Sequence, residues 1–390
     1  MKYDCIIIGA GASGLMAAAT AGYRGRKILV LDSANKVGKK ILMSGGGRCN
    51  FTNYYVEPES YTSNNPHFCK SALSRYTSYD FIEMVSKYKL EYHERANGQL
   101  FCDNRSNDIL DILLSECEKA DVKIITNCKV DRVEKNDGFI LDTTSGQFTC
   151  DSLLVATGGL SIPILGATGF GYQLAKQFGL RVTATHAALV PYTFSGKWLD
   201  ITKNLSGISM EVEISTNSTS FQGPLLFTHR GISGPAVLQS SNYWKLGEEI
   251  TINFFPTQSL EGTIQKWREE GKKRKLSNLL AEELPKQFVN TWLQLFGEDK
   301  PANQYSDKEI KLIAEQFQQW KITPAGTEGY RKAEVTQGGI DTDEISSKTF
   351  EAQKVSNLFF TGEVLDVTGQ LGGFNFQWAW SSGYCAGQYI

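Results

Sequence analysis

The chain has 390 residues, which is enough for two or three domains and a large hydrophobic core. Apolar residues make up 41% and charged residues 21%, as in an ordinary soluble globular protein, and the net charge of −2 argues against strong non-specific affinity for RNA. Eight scattered cysteines without a C-x-x-C pair, and four histidines without metal-site spacing, argue against a disulfide framework and a metal centre.

The N-terminal segment has the pattern of a strand, a glycine turn and a helix. The apolar run Cys5–Ile8 leads into Gly-x-Gly-x-x-Gly at residues 9–14, and an alanine-rich stretch follows. In such a pattern Gly9 allows the turn, Gly11 lets the backbone approach a pyrophosphate, and Gly14 lets the helix lie close to the sheet. The segment therefore predicts a dinucleotide-binding site at a helix N-terminus.

A second apolar strand, residues 27–31, ends at Asp32. A carboxylate in this place can accept hydrogen bonds from an adenosine ribose, which favours a dinucleotide over FMN. The apolar stretch around the first helix is interrupted by glycines and preceded by Asp4, so it resembles neither a signal peptide nor a membrane anchor. We expect a cytoplasmic protein with no membrane association.

A glycine-rich loop follows at residues 38–53, with the sequence Ser44-Gly45-Gly46-Gly47-Arg48-Cys49-Asn50 at its centre. Three consecutive glycines disfavour both helix and strand. A flexible surface loop is one interpretation. Backbone N–H groups that face a flat ligand account better for the glycines beside Arg-Cys-Asn.

The middle of the chain alternates helical and strand patterns. Residues 77–89 and 106–119 predict amphipathic helices, the second with Ser106 as a possible cap. Strands are predicted at 122–126, 130–134, 139–143, 148–150 and 153–156, and the last runs into Thr157-Gly158-Gly159. The run Gly166–Gly171 resembles a second dinucleotide fingerprint, but without a strong strand before it we interpret it as a helix N-terminus beside the first ligand.

From about residue 190 the pattern changes to short strands at 190–194, 210–214, 221–227, around Val237, and 250–255. Residues 260–320 then read as helical. They include a basic segment, defined as residues 266–275, in which six lysines and arginines occur. A solvated helical surface explains these charges, and contact with RNA phosphates is the alternative.

The C-terminal part returns to the nucleotide site. The strand 358–360 ends at Thr361-Gly362-Glu363, and Gly372-Gly373 precede a helix that contains Asn375. A carboxylate after a strand can bind a ribityl hydroxyl, and a glycine-led helix N-terminus can face the pyrimidine edge of a flavin. Helix packing alone would explain the tryptophans of this helix but not the glycines.

Together these motifs resemble the bacterial YhiN/BaiN-like family of NAD(P)/FAD-dependent oxidoreductases, most closely its YhiN branch. The block Ser44–Asn53 and the stretches Asn65–Ser74 and Gly98–Asp103 carry the resemblance. It implies an α/β fold with a discontinuous, Rossmann-like, glutathione-reductase-like FAD domain (1–188 and 335–390), a β-barrel-like insert (189–259 and about 321–334) and a helical domain (260–320). Gln370 departs from the aromatic residue that relatives often carry there.

The expected cofactor is FAD, with NADH or NADPH as a transient electron donor, because the chain has no second complete fingerprint. The motifs and the resemblance together assign to FAD the residues Gly9, Gly11, Ala12, Ser13, Gly14, Asp32, Ser33, Lys40, Ser44, Gly45, Gly46, Gly47, Arg48, Cys49, Asn50, Val130, Thr157, Gly158, Gly159, Gly362, Glu363, Gly372, Gly373 and Asn375.

For catalysis we expect hydride transfer to an activated C=C bond and protonation by a positioned acid. The candidates for this acid or for a carbonyl clamp are His229, Arg230 and Cys49, with Arg48 and Arg331 as anion-binding alternatives. His229 is preferred, since it lies in a polar cluster with turn residues.

The resemblance implies reduction of a uridine in large-subunit ribosomal RNA to dihydrouridine. Arg48, Phe51, Arg230, Tyr330 and Arg331 are suited to stack a splayed-out base and hold its phosphate. Alternatives are a reductase of a small, steroid-like enone, a small-amine oxidase, and a flavin redox sensor without turnover. The residues do not indicate an oligomeric state.

Overall fold

The first strand of the chain lies near the middle of a seven-stranded sheet. The computed structural model describes residues 2–217 and 219–390. Two units make up the structure. The first runs from the start of the chain to Ala187 and includes Glu334–Ile390, and the second is Ala188–Ala333.

The segment before the second unit contains, in chain order, β1 (Lys2–Ile8), α1 (Ala12–Tyr23), β2 (Ile28–Leu31), α2 (Lys39–Met43), β3 (Asn50–Asn53), β4 (Tyr61–Thr62), α3 (Lys70–Arg75), α4 (Ser78–Lys87), β5 (Tyr92–Arg95), β6 (Gln99–Cys102), α5 (Asn107–Lys119), β7 (Lys123–Ile125), β8 (Val130–Lys135), β9 (Phe139–Thr143), β10 (Gly146–Val155), α6 (Phe170–Gln177) and β11 (His186–Ala188).

The remaining elements are β12 (Tyr192–Thr193), α7 (Gly196–Asn204), β13 (Ser209–Ser215), β14 (Ser220–Thr228), β15 (Gly231–Ser233), α8 (Pro235–Ser241), β16 (Ile250–Asn253), α9 (Leu260–Glu269), α10 (Leu276–Leu280), α11 (Lys286–Phe296), α12 (Asp307–Gln318), β17 (Trp320–Ile322), β18 (Gly326–Thr327), β19 (Val335–Gln337), β20 (Leu358–Phe360), β21 (Thr368–Gly369) and α13 (Phe374–Gly387).

The main sheet of the first unit has the order β7-β2-β1-β10-β9-β8, and β20 also pairs with β10. Strands β7, β2, β1, β10 and β20 are parallel, whereas β8, β9 and the first half of β10 form an antiparallel meander. Ile8 pairs with Val155, and Val155 pairs with Phe360. The carboxyl ends of β1, β10 and β20 are therefore level, and ligands bind at such an edge in open parallel sheets.

The predicted helices at 77–89 and 106–119 are confirmed as α4 and α5. The two strands predicted at 148–150 and 153–156 are instead one ten-residue strand, β10, because it pairs antiparallel with β9 and then parallel with β1 and β20. Ser106 lies at the N-cap of α5, but its hydroxyl donates to the carbonyl of Leu42 and does not cap the helix.

A second, three-stranded sheet with the order β3-β6-β5 belongs to the same unit. Phe51, Leu100 and Cys102 are buried on one of its faces. Because side chains alternate along a strand, Asn50, Gln99 and Phe101 lie on the other face. No strand was predicted within residues 91–102, where the structure has β5 and β6.

The second unit contains an antiparallel sheet with the order β17-β16-β13-β14-β15-β12-β18. Helices from residues 260–320 pack on this sheet, and strands and helices share one hydrophobic core that includes Ile252, Phe288 and Trp292. The predicted strand at Val237 is wrong, since this residue lies in α8. The separation of this unit into a β-rich and a helical domain stays a prediction.

Three findings concern the described part of the chain as a whole. None of its helices combines the length and apolarity needed to span a membrane. Residues 2–217 and 219–390 contain no group of three or more His, Cys, Asp or Glu side chains that could hold a metal ion. All eight cysteines are buried and unbridged. The fold is thus a Rossmann-like α/β unit with additional sheet and helical regions, as predicted.

Candidate functional site

The carboxyl edge of the main sheet brings three glycine turns together. A Cβ atom added to Gly9, which has a φ of +112°, would lie 2.3 Å from the carbonyl oxygen of Ala156. At Gly362, with a φ of +75°, it would lie 2.5 Å from the Ser13 hydroxyl. The turn after β1 therefore touches the end of β10, and the turn after β20 touches the start of α1, and only glycine fits at these contacts.

Gly11 and Gly14 serve different purposes at the start of α1. A Cβ atom on Gly14 would lie 2.0 Å from the carbonyl oxygen of Gly9, so this glycine is required for packing. A Cβ atom on Gly11 would meet nothing within 4 Å, and no side chain caps the helix at this residue. The helix N-terminus carries about half a positive charge and faces open space there, as a pyrophosphate site requires.

Asp32 joins the end of β2 to the first glycine turn. Its Oδ2 accepts a hydrogen bond of 2.8 Å from the amide of Ala10, and its Oδ1 accepts one of 2.7 Å from the amide of Ala34. Each oxygen keeps a second lone pair with which it can accept from a ribose hydroxyl. The neighbouring Ser33 is exposed. Val130 is buried at the start of β8, close to the segment whose Cys128 amide donates to the carbonyl of Asp32.

The glycine loop is anchored by its carbonyl groups. Those of Gly47 and Arg48 accept from the amides of Ser106 and Cys102. All three glycines have positive φ values between 56° and 88°, and added Cβ atoms on Gly46 and Gly47 would meet nothing within 4 Å. The loop thus presents backbone to open space, as a flat ligand requires.

Cys49 ends this loop, and its side chain is fully buried. Burial raises the pKa of its thiol to about 12, and a hydrogen bond with Ser44 lowers it only in part. The thiol therefore stays protonated at neutral pH and has no access to solvent. Phe51 is also fully buried, which contradicts the expectation that it stacks on a substrate base.

Lys40 and Glu363 form a partly buried ion pair of 2.6 Å. The other oxygen of Glu363 accepts from the Ser161 hydroxyl at 3.0 Å and from the amide of Thr336 at 2.9 Å, and Lys40 also donates to Ser161. This network fixes the turn after β20 against residues of three other segments. Ser161 and Thr336 were missed in the sequence analysis because neither lies in a recognisable motif.

The residues after β10 differ in their surroundings. The hydroxyl oxygen of Thr157 is buried and has no hydrogen-bond partner among the described residues. Gly158 borders open space, with the Glu363 carboxylate 4.0 Å from an added Cβ atom. Gly159 is enclosed, since an added Cβ atom would lie 2.5 Å from the Thr336 hydroxyl. Gly159 is therefore a packing position in this structure.

The C-terminal helix α13 also begins without a side-chain cap. Gly373 has a φ of +94°, and an added Cβ atom would lie 2.4 Å from the carbonyl oxygen of Thr52. The amide of Asn375 bonds to both the N–H and the carbonyl of Gly369, so this side chain fixes the preceding turn. The indole N–H of Trp378 donates to the carbonyl of Gly362. The helix start is thereby tied to the end of β20.

His229 and Arg230 lie in the second unit, on the exposed turn between β14 and β15. The Thr228 hydroxyl accepts from the amides of Arg230 and Gly231 and holds this turn. Arg230 forms an ion pair of 3.6 Å with Glu328. Their catalytic roles stay predictions, as does that of Cys49.

The residues of the first unit fit a bound dinucleotide. The N-termini of α1 and α13 lack side-chain caps, and added Cβ atoms on Gly11, Gly46 and Gly47 would project into open space. The Thr157 hydroxyl is buried and has no hydrogen-bond partner among the described residues. Asp32 and the glycine turns suit the adenosine and pyrophosphate parts, while the loop 44–49 and the start of α13 suit the flavin.

Comparison with known proteins identifies the family of the chain. Residues 3–389 match the family described as "HI0933-like protein Rossmann domain". A protein of Escherichia coli K12 named "Ribosomal RNA dihydrouridine synthase" is 50% identical over 99% of this chain and 98% of its own length. A protein of Haemophilus influenzae with the same name is 51% identical over 98% of this chain and 97% of its own.

A more distant relative is the "3-dehydro-bile acid delta(4,6)-reductase" of Clostridium scindens. It is 27% identical over 98% of this chain and 97% of its own length. The family match and the similar relatives together confirm the predicted resemblance. The chain belongs to the HI0933-like family of Rossmann-domain proteins and is an FAD-dependent oxidoreductase.

Proposed function

We propose that this protein reduces a uridine of large-subunit ribosomal RNA to dihydrouridine, with NADH or NADPH as the electron donor. The observation that carries the proposal is the identity of 50% and 51%, along nearly the whole chain, to two proteins named ribosomal RNA dihydrouridine synthase. A ribosomal RNA substrate also implies a cytoplasmic protein.

The reaction adds a hydride to one carbon of the uracil C5=C6 bond and a proton to the other, while the nicotinamide donor is oxidised. The flavin, when bound, supplies the hydride transfer. Asp32, the glycine turns and the Lys40–Glu363 pair would bind and orient the cofactor. His229 is the preferred proton donor, because it is exposed on a turn whose backbone is held by Thr228.

The basic segment lends little support to RNA binding. Four of its six cations form ion pairs with carboxylates: Arg268 with Asp307, Lys272 with Glu270, Arg274 with Glu282, and Lys275 with Asp299. Cations that are already paired contribute less to phosphate binding. We therefore place RNA recognition elsewhere on the chain.

The deciding experiment is deletion of the gene in its own host and mass spectrometry of nucleosides from purified large-subunit RNA. Dihydrouridine should disappear on deletion and return when the gene is restored. Purified flavin-loaded protein with NADH or NADPH should then form dihydrouridine in RNA from the deletion strain. Unchanged dihydrouridine in that strain would overturn the proposal.

The bile-acid reductase relative supports a second candidate, reduction of a small enone. An enone resembles uracil as a C=C bond conjugated to a carbonyl, so the same flavin chemistry applies. Oxidation of the donor in the presence of a 4-ene-3-ketosteroid, with none in the presence of RNA from the deletion strain, would favour this candidate. The small-enone reductase ranks second, because this relative is 27% identical to the chain, whereas the two RNA-modifying relatives are 50% and 51% identical.

A further inference from the structure

The polar face of the β3-β6-β5 sheet lies beside the proposed flavin site and, apart from Asn50, has no role in the functions described so far. Its amides belong to Asn50 and Gln99, which hydrogen-bond to each other at 3.2 Å. Gln99 also packs against Gly372, since an added Cβ atom there would lie 3.2 Å from Cγ of Gln99. This face therefore continues the edge formed by the glycine loop and the start of α13.

Arg95 lies at the end of β5 on this face, opposite Gln99 in the strand register. Its guanidinium carbon is 4.1 Å from the centre of the Phe101 ring, and its Nε donates to Nε2 of His93 at 3.2 Å. His93 Nδ1 lies 2.5 Å from Oδ1 of Asp103, so a neutral His93 carries its proton there. Arg95 is thus held by ring contact and by hydrogen bond.

The terminal nitrogens of Arg95 remain available for a ligand. Within the described ranges, 2–217 and 219–390, no carboxylate lies within 4.0 Å of its guanidinium group, and the residue is exposed. By contrast, the exposed Arg105 pairs with Asp108 at 3.2 Å. An arginine that is oriented but unpaired offers a preformed fork for a phosphate at a low entropic cost.

The β5-β6 hairpin that carries Arg95 is linked by hydrogen bonds to the turn before α13. The buried amide of Asn53 donates to the carbonyl of Asn97 in the hairpin turn at 3.0 Å and to the carbonyl of Gly372 at 2.9 Å. Phe101 in turn packs under the glycine loop, since an added Cβ atom on Gly45 would lie 2.8 Å from its ring. One aromatic ring therefore separates Arg95 from that loop.

We propose that Arg95 binds a backbone phosphate of the RNA substrate next to the flavin, with the Gln99 amide on the side of the base. The inference rests on the proposed function and names the RNA-binding surface of the same site. Phosphate contacts set the register of a nucleic acid on a protein, and amide side chains suit the hydrogen-bonding edge of a base.

The test compares flavin-loaded wild-type protein with Arg95→Gln, which keeps a polar side chain but removes the charge. The probe is a labelled oligouridylate of about a dozen nucleotides, titrated over a series of salt concentrations. We expect Arg95→Gln to bind about ten-fold more weakly at low salt and to lose about 0.7 from the slope of log K against log salt, as for one lost phosphate contact on a single strand. Arg95→Lys should restore the slope and only part of the affinity.

Arg132→Gln is the matched control, because Arg132 is an exposed arginine of the main sheet that pairs with Glu134. It should leave affinity and slope unchanged. If the wild type reduces ribosomal RNA from the deletion strain and Arg95→Gln binds the probe with the same slope, only this inference fails. If the wild type reduces no RNA, the proposed function fails and the inference fails with it.

The nicotinamide donor also carries phosphates, and a second arm separates the two sources. Rapid-mixing reduction of the flavin by NADH and by NADPH should be the same for Arg95→Gln and the wild type. A selective loss of the reaction with NADPH, together with unchanged RNA binding, would assign Arg95 to the donor and overturn the inference.

Discussion

At the scale of single residues, Asp32 has two roles. It holds the first glycine turn in shape, and it offers hydrogen-bond acceptors to a ribose. Its two oxygens hold the amides of Ala10 and Ala34. Hydrogen bonds to a charged group contribute about 1.5–3 kcal/mol each. A change at this residue should therefore affect the apoprotein as well as cofactor binding.

We expect Asp32→Asn to weaken FAD binding at least ten-fold and to lower the free energy of unfolding of the apoprotein by about 2 kcal/mol. The reason is that the amide NH2 would face one of the two backbone donors and lose that hydrogen bond. Flavin fluorescence titration and urea unfolding measure the two effects. Asp131→Asn is the control, because it removes the same charge from an exposed ion pair with Lys129. It should change neither the FAD affinity nor the free energy of unfolding. Wild-type FAD affinity in Asp32→Asn would contradict this account of the turn.

At the scale of elements, Gly11 and Gly14 at the start of helix α1 look equivalent in sequence and differ in the structure. Gly11 borders open space, whereas Gly14 touches the backbone of Gly9. The first position is constrained only by what binds there, and the second by the packing of the helix on the sheet.

Gly11→Ala and Gly14→Ala should therefore separate binding from folding. Gly11→Ala should leave urea unfolding of the apoprotein within about 0.5 kcal/mol of the wild type and weaken FAD binding more than ten-fold, because its methyl group enters the space of the pyrophosphate. Gly14→Ala should destabilise the apoprotein by about 2 kcal/mol or more through overpacking. Equal effects of the two changes on apoprotein stability would show that the helix does not pack as described.

At the scale of the whole molecule, the buried thiols link stability to pH. Burial raises the pKa of Cys49, Cys117 and Cys150 to about 12, and that of Cys69 and Cys385 to about 11. In the unfolded chain the same thiols ionise near pH 9. A raised pKa in the folded state means that the stabilisation is complete below pH 9 and is lost as the pH rises toward 12.

We expect the free energy of unfolding to fall above pH 9, by up to about 1.4 kcal/mol per pH unit for each such thiol. Urea unfolding at several pH values measures this slope. At pH 8 a thiol reagent should label no cysteine of the native protein rapidly and all eight in urea. Rapid labelling of one native cysteine would mean that a thiol, with Cys49 the first to examine, is exposed in solution.

Local sequence was sufficient for the strand, glycine turn and helix at residues 5–19, for Asp32, and for the strand 358–360 before Gly362. These features depend on backbone conformations that only glycine adopts readily and on short apolar runs, which can be recognised without knowing the fold. The family resemblance likewise followed from short motifs along the chain, and the comparisons confirm it.

Only the tertiary structure decided the surroundings of these motifs. Pairing between distant strands makes β10 one continuous strand and forms the β3-β6-β5 sheet. Cys49 and Phe51 are buried at this sheet, whereas Arg95 is exposed on its other face. Ion pairs with carboxylates outside the basic segment make its cations less available for RNA phosphates. Sequence patterns describe neighbours along the chain, whereas burial and charge pairing depend on residues far apart in sequence, and those contacts exist only once the chain is folded.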